Sequence, residues 1–494
     1  MKRNAAKAVK NRNRPEDERL PVGRSFTFGL QHVLTMYGGI IAVPLIVGSA
    51  AGLGPDEIAV LIASALFIGG AATILQSWGI PFFGSQLPLV QGVSFAGVAT
   101  MIAILETGGG IQAVFGSVLA AGVIGLVIAP FFAKVIRFFP PVVTGIVITT
   151  IGLTLMPVAA NWAMGGDSEA ESYGSLANIG LAALTLLIVL VCSKIGSAAI
   201  SRLSILISIV AGTLIAAALG MTDFSNVSDG PIIAVPQPFA FGWPVFEVAS
   251  IISMTIVVLV TMTETTADIL AVGEIVDTET GSRRIGDGLR ADMLSSAIAP
   301  IFNSFTQTAF AQNVGLVAIT GVKSRFVVSA GGVIMLVLGL LPVLGRVVAA
   351  VPTPVLGGAG VVLFGTVAAS GIRTLAKVDY KDNMNLVIVA TSLAFGMIPI
   401  VAPTFYDNFP DWFATIFHSG ISSAAVMAVL LNVVFNRIKV GNAKDSSVFV
   451  AGTARSIRPE QLKAFREGDT IKDGKVLDCD GKEVPVAEEG VDKE

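Results

Sequence analysis

Glu264 is the acid that stands out in this chain of 494 residues, set in the run Val257-Val-Leu-Val-Thr-Met-Thr-Glu264-Thr-Thr-Ala-Asp268. A carboxylate at the centre of a membrane helix costs roughly 2.5–3.5 kcal/mol, so it is expected to face a cavity or a partner. Asp268 follows four residues later, on the same helical face. Burial favours the neutral carboxyl, which lets such an acid take up and release a proton. His32, after Gln31, could relay that proton or orient its neighbours. Asp292, two residues past Arg290, could titrate or bind helices together. Glu264, Asp268, His32 and Asp292 are therefore the candidate proton-coupling residues. His418, near an outer loop, is read as having no such role.

A second group suits recognition rather than proton transfer. Gln312 and Asn313 are carboxamides, each with a donor and an acceptor. Such a group can bind bidentately to a ring edge that alternates N–H and C=O, as a purine dione does. Phe95 offers a face on which a flat heterocycle could stack, and Ser94 with Gly92 suits the turn into a half-helix. The two histidines and two cysteines are far apart in the sequence and provide neither a metal cluster nor a nucleophile constellation. No Gly-x4-Gly-Lys-Ser/Thr phosphate loop occurs either. The chain is expected to be no enzyme, to need no cofactor, and to use a proton as coupling ion.

The elements that must position these groups follow from composition. Hydrophobic residues make up 53% and charged residues 14%, with mean hydropathy +0.78. A soluble domain carries about 25% charged residues, so most of this surface faces lipid. A net charge of −3 points to no nucleic-acid partner. Spans are expected near 28–49, 57–78, 88–104, 111–133, 140–158, 176–193, 198–220, 246–270, 286–304, 309–322, 326–343, 352–371, 384–402 and 412–436, fourteen in all. An even count puts both termini on one side. Lys134, Arg137, Lys194, Arg202, Arg283, Arg284, Arg290, Lys323, Arg325, Arg373, Lys377 and Lys381 then all fall inside with the basic N-terminus, Arg346 being the exception. Acids such as Asp223, Asp229 and Asp407 fall outside.

The third and tenth segments are glycine-interrupted and polar, which is tolerated only where backbone lines a cavity. Gln91-Gly-Val-Ser-Phe echoes Gln312-Asn-Val-Gly-Leu, and Pro140-Pro-Val-Val-Thr-Gly echoes Pro354-Val-Leu-Gly-Gly, each seven spans apart. The expected fold is an all-α polytopic membrane protein of fourteen transmembrane segments, arranged as a 7+7 inverted repeat with broken third and tenth segments. Short extended stretches before each half-helix would let facing backbone pair. The glycine-rich stretch 356–360 and Pro140-Pro141 would permit close sliding or local hinging. The tail from about 438 reads as an accessory hairpin or a disordered tail without catalytic chemistry.

The run Gln312-Asn-Val-Gly315-Leu-Val-Ala-Ile-Thr-Gly-Val-Lys-Ser-Arg325 resembles the signature of the nucleobase–ascorbate transporters, the nucleobase:cation symporters. Gln31-His32, Glu264 with Asp268, and Asp292 also match polar positions of that family, over about residues 22–438. The resemblance implies a core domain (26–135 and 245–345) moving against a gate domain (136–222 and 350–437), between a cytoplasmic segment 1–25 and a tail 438–494. It implies that Glu264 hydrogen-bonds a base and Gln312 its other edge, with Phe95, Ser94, Asn313 and Gly315 completing the site. It further implies a homodimer in the lipid of a bacterial inner membrane, coupled to protons. Gln rather than Glu at 312, and Asp rather than His at 268, resemble carriers of xanthine and uric acid more than of uracil. An anion carrier of the same fold is the other reading, although it has little use for an embedded Glu264.

Overall fold

Apolar runs fold as helices in this chain because a helix pairs its own backbone groups where water is absent. The computed structural model describes residues 14–132, 139–222, 224–228, 230–380, 384–438, 470–472 and 475–477. Lys134, Arg137, Asp223, Asp229, Lys381, residues 1–13 and most of the tail lie outside the described residues.

Helices α1 (Val22–Ala50) and α2 (Pro55–Trp78) come first. The latter opens with Pro55 in its first turn, and the Gly54 N–H donates to Glu57 Oε2 at 2.9 Å. A three-residue strand, β1 (Gln91–Val93), leads through a 3-10 turn (Phe95–Gly97) into α3 (Val98–Glu106), and α4 (Gly110–Ile128) follows. Then come α5 (Pro141–Thr154), α6 (Met156–Met164), α7 (Leu176–Ile195), α8 (Ala198–Arg202) and α9 (Ser204–Ala218). The long α10 (Val248–Val276) begins a comparable series with α11 (Ser282–Ile298), strand β2 (Gln307–Ala309), α12 (Ala311–Thr320), α13 (Arg325–Gly339) and α14 (Pro342–Ala349). Helices α15 (Thr353–Leu375), α16 (Met384–Val401), α17 (Asp411–Phe417) and α18 (Gly420–Asn432) close it, the last running on as a π-helix over Val433–Arg437.

Among the described residues eight helices are long and apolar enough to cross a membrane, or nine if α13 and α14, bent by 78° at their break, count as one. Phe95–Glu106, Ser204–Ala218, Ala311–Thr320 and Gly420–Asn436 are apolar but shorter. Helix α11, expected as the ninth span, has 17 residues and carries Arg283, Arg284, Asp287, Arg290 and Asp292. A separate unit begins at Gly441. Its described part is the antiparallel hairpin β3 (Thr470–Lys472) and β4 (Lys475–Leu477), one of the two forms open to the tail.

Small residues set how closely these helices meet. A methyl group on Gly152 of α5 would stand 2.3 Å from Ala368 N of α15, so those backbones touch. One on Gly357, at the other end of α15, would stand 2.3 Å from Ala163 N. The glycine-rich stretch of α15 is therefore a packing seam.

One polar assembly lies ahead of α1. The turn Pro15–Asp17 buries Glu16 completely, and its Oε1 accepts from Arg284 Nη2 at 2.5 Å and from Thr278 Oγ1 at 3.2 Å. Arg284 also donates to the carbonyls of Ser85 (2.6 Å) and Gln86 (2.8 Å), on the segment that feeds β1. Asp17 accepts from Arg325 Nε at 2.6 Å, and Arg325 reaches the Ser77 and Trp78 carbonyls at the end of α2. Burial works to raise the Asp17 carboxyl, but hydrogen bonds from Arg14 and Arg325 and their charges outweigh it and hold it below the ordinary carboxylate value. Its contribution to stability is present above that ordinary range and lost as pH falls through the lowered value.

Replacing Arg284 with Ala should destabilise the folded protein by about 3–5 kcal/mol, the cost of leaving one member of a buried pair alone. Arg283→Ala, at a side chain 87% exposed, should stay within about 0.5 kcal/mol. Thermal unfolding of the solubilised protein compares them, and equal midpoints would show that the strap carries no load.

Candidate functional site

Strands β1 and β2 form a two-stranded antiparallel ribbon with Gln91 opposite Ala309, Gly92 opposite Thr308 and Val93 opposite Gln307. Flanking bonds run from Phe310 N–H to Val90 O (3.0 Å) and from Ser94 N–H to Thr306 O (2.8 Å). Bonded and non-bonded pairs alternate along such a ladder. The peptide groups of Gln91 and Gln307 consequently point outward, off the two edges of the ribbon.

Side-chain hydroxyls meet them. Thr73 Oγ1 of α2 accepts from the Gln91 N–H at 2.9 Å and donates to its carbonyl at 3.1 Å. Ser296 Oγ of α11 does the same for Gln307, at 2.9 Å and 3.3 Å. Thr265 Oγ1, next to Glu264 on α10, accepts from the Ala309 N–H at 3.4 Å. These hydroxyls went unnoticed in the sequence because serine and threonine are common in apolar helices, where they bond their own backbone.

A local two-fold relates the two strands and their flanks, in which Gln91 corresponds to Gln307, Ser94 to Phe310 and Ala96 to Gln312. The lettered echo of Gln91-Gly-Val-Ser-Phe95 in Gln312-Asn-Val-Gly-Leu316 is thus five residues out of structural register. Gly92 leaves room at the crossing for the Phe310 ring and Met36 Cε, which a methyl there would approach to 2.7 Å and 2.8 Å and push aside. Ser94 caps its own half, its Oγ accepting from Ala96 N–H at 3.2 Å. Phe310, at the matching place ahead of α12, has no capping side chain. The Asn313 N–H turns back to the Phe310 carbonyl at 3.0 Å, and those of Ala311 and Gln312 are left to other acceptors.

The structure separates the candidate residues into those held and those free. Asp292 is held: Oδ2 accepts from Thr265 Oγ1 at 2.5 Å and Oδ1 from Gln76 Nε2 at 3.3 Å, joining α10, α11 and α2. The nearby Gln91 carboxamide is buried without a well-formed hydrogen bond. His32 is also held, with Asn313 Nδ2 lying 3.1 Å from its Nδ1 and 3.0 Å from its carbonyl. Asn313 is thereby turned toward α1 and buried, with Oδ1 unpartnered. Phe95 packs edge-on against Phe364 at 6.0 Å. Gly315 faces open space. Glu264 and Asp268 are partly buried, and Gln312 is exposed at the start of α12. Among the described residues neither the Glu264 carboxyl nor the Gln312 carboxamide has a hydrogen-bond partner. No three His, Cys, Asp or Glu among the described residues come together as a metal site.

A family model described as "Permease family" (Xan_ur_permease) matches residues 23–405. The xanthine permease of Bacillus subtilis is 42% identical over 84% of this chain and 94% of its own length. The uric acid transporter UacT of Escherichia coli is 41% identical over 86% of this chain and 89% of its own. Among solved structures, the transmembrane domain of the cyanobacterial bicarbonate transporter BicA matches with TM-score 0.52 at 16% identity, over 83% of this chain and 97% of that one. The murine anion transporter Slc26a9 gives 0.56 at 13%, over 84% and 69%. These structural likenesses establish a shared fold.

Thr73→Val keeps the shape of the side chain but leaves the Gln91 peptide unpaired, and should cost about 1–3 kcal/mol in unfolding free energy. Thr73→Ser should recover most of it. Melting of all three proteins in one detergent checks this, and a Val variant as stable as the parent would mean that the ribbon edge has another partner.

Proposed function

The chain belongs to the Permease family matched over residues 23–405, a transporter and not an enzyme, and from that premise we propose that it takes up a purine base, xanthine or uric acid, by proton symport. Relatives named as xanthine and uric acid permeases, at 39–42% identity, support the substrate class. The observation that carries the site is the pair of unpartnered side chains, Glu264 and Gln312, on helices that meet at the ribbon.

In this reading the helices make fourteen spans, the third and tenth interrupted by β1 and β2. Residues 26–135 and 245–345 form a core that moves against a gate of 136–222 and 350–437. Glu264 accepts from one edge of the base, and the Gln312 carboxamide pairs with the other. The uncapped N–H groups of α12 supply further donors to ring carbonyls, while Phe95 offers its ring as a platform. Ser94, Asn313 and Gly315 shape the pocket, with His32 orienting Asn313.

Protonation of Glu264 and binding of the base favour one another, because a neutral carboxyl gains a donor and loses a desolvated charge. Asp268, one helical turn further along, is placed to pass the proton onward, and Asp292 holds the acid-bearing helix against the ribbon. The protein would sit in the bacterial inner membrane as a homodimer with both termini cytoplasmic, the tail serving as an accessory. Transport of uracil is the alternative among bases. The shared fold of the bicarbonate and Slc26 proteins favours an anion carrier only at the level of architecture.

Glu264→Gln should abolish proton-driven accumulation of labelled xanthine and uric acid in cells, with the protein still made and folded. A protonophore should do the same to the parent. Accumulation like that of the parent in the Gln variant would refute the role, and uptake of uracil in place of purines would move the substrate.

A further inference from the structure

A narrow cavity of about 40 Å³ lies on the seam between α1 and α12 on one side and α8, α9 and α15 on the other. Its walls are largely apolar, including Leu34, Ile205, Phe310 and Leu363. The protons of its two hydroxyls are already spent, Thr35 Oγ1 donating to Gln31 O at 2.8 Å and Thr366 Oγ1 to Leu363 O at 2.7 Å. Two side chains on the wall keep their donors unspent: the Gln312 carboxamide and the Arg202 guanidinium. Arg202 is partly buried and makes no hydrogen bond or ion pair among the described residues. Its five N–H groups call for acceptors, and their fixed fork matches a planar anion or paired ring acceptors. Apolar walls strengthen that demand by lowering the local dielectric.

We propose that Arg202 is a specificity-determining residue that favours a purine carried as its anion, uric acid as the monoanion, over a purine that is neutral. The inference rests on the purine reading above and adds a charge preference to it. Gln312 joins the two sites, since its carboxamide stands both at the free end of α12 and on the wall that Arg202 shares. A base held by Gln312 needs only the seam to widen to meet the guanidinium. The cavity as it stands is far below the roughly 300 Å³ of an ordinary small-molecule pocket. Arg202 therefore acts when the helices of the seam part, offering a forked pair of donors to the deprotonated ring edge and its carbonyl oxygen.

Binding of labelled uric acid to purified full-length protein, displaced by unlabelled uric acid or xanthine at pH 6, tests the proposal. At that pH uric acid is mostly ionised and xanthine neutral. Arg202→Gln should weaken uric acid about tenfold, as loss of one charge-assisted bond does, and xanthine by no more than about twofold. Arg202→Lys should keep the preference for the anion. A misfolded variant would lower the amount of label bound without changing the ratio of affinities, so the ratio is the readout. An unchanged ratio in Arg202→Gln, or equal weakening of both bases, overturns the role of Arg202 alone. A parent protein that binds neither base overturns the purine reading, and the proposal with it.

Discussion

Every peptide group placed beyond the reach of water needs a partner, and a two-stranded ribbon has two edges that cannot supply their own. That requirement organises the centre of this protein. The crossing of β1 and β2 is possible because α2 presents Thr73, α11 presents Ser296 and α10 presents Thr265 at the outward-facing peptides. Each of these helices is thereby fixed in height and rotation against the ribbon. Thr265 donates to Asp292 while receiving from Ala309, so the turn that carries Glu264 cannot shift without disturbing the ribbon. The acid and the half-helix that bears Gln312 are in this way held in one frame.

Much of the helical frame was legible because burial in lipid demands long apolar runs, and runs of that kind are unmistakable in a sequence. Pro55–Trp78 keeps close to its expected limits, whereas Val22–Ala50 starts six residues before its expected start and Val248–Val276 ends six after its expected end. The polar character of the residues 84–95 and 303–315 gave away the interrupted backbone there, and the strands fall inside those stretches. The candidate acids were legible for the same reason, since Glu264 and Asp268 are costly where they stand.

What escaped was everything decided by register. Thr73 and Ser296 look like any small polar residue on an apolar helix until the ribbon is in place. The letters Gln-Gly-Val-Ser-Phe and Gln-Asn-Val-Gly-Leu suggested a correspondence that the pairing of Gln91 with Ala309 rules out. Glu16 and Asp17 lie in the segment 1–25 expected to be cytoplasmic, yet Glu16 is fully buried against Arg284. Charge in a short segment says little about burial when its partners, Arg284 and Arg325, lie some hundreds of residues away. The sequence also marked Asn313 and Gln312 as one pair, whereas successive helical residues face different ways and only Gln312 is exposed.

The local two-fold at Gly92 and Thr308 makes the ribbon itself nearly indifferent to direction, because rotating it exchanges one strand for the other. What breaks the symmetry is confined to a few side chains beyond the strands. One half-helix closes on itself through Ser94 and carries Ala96; its counterpart begins at Phe310, stays open, and carries Gln312. The two ends therefore present different groups, one closed by a serine hydroxyl and the other carrying a carboxamide. The asymmetry about the axis thus lies in the side chains at these few positions and not in the strands themselves.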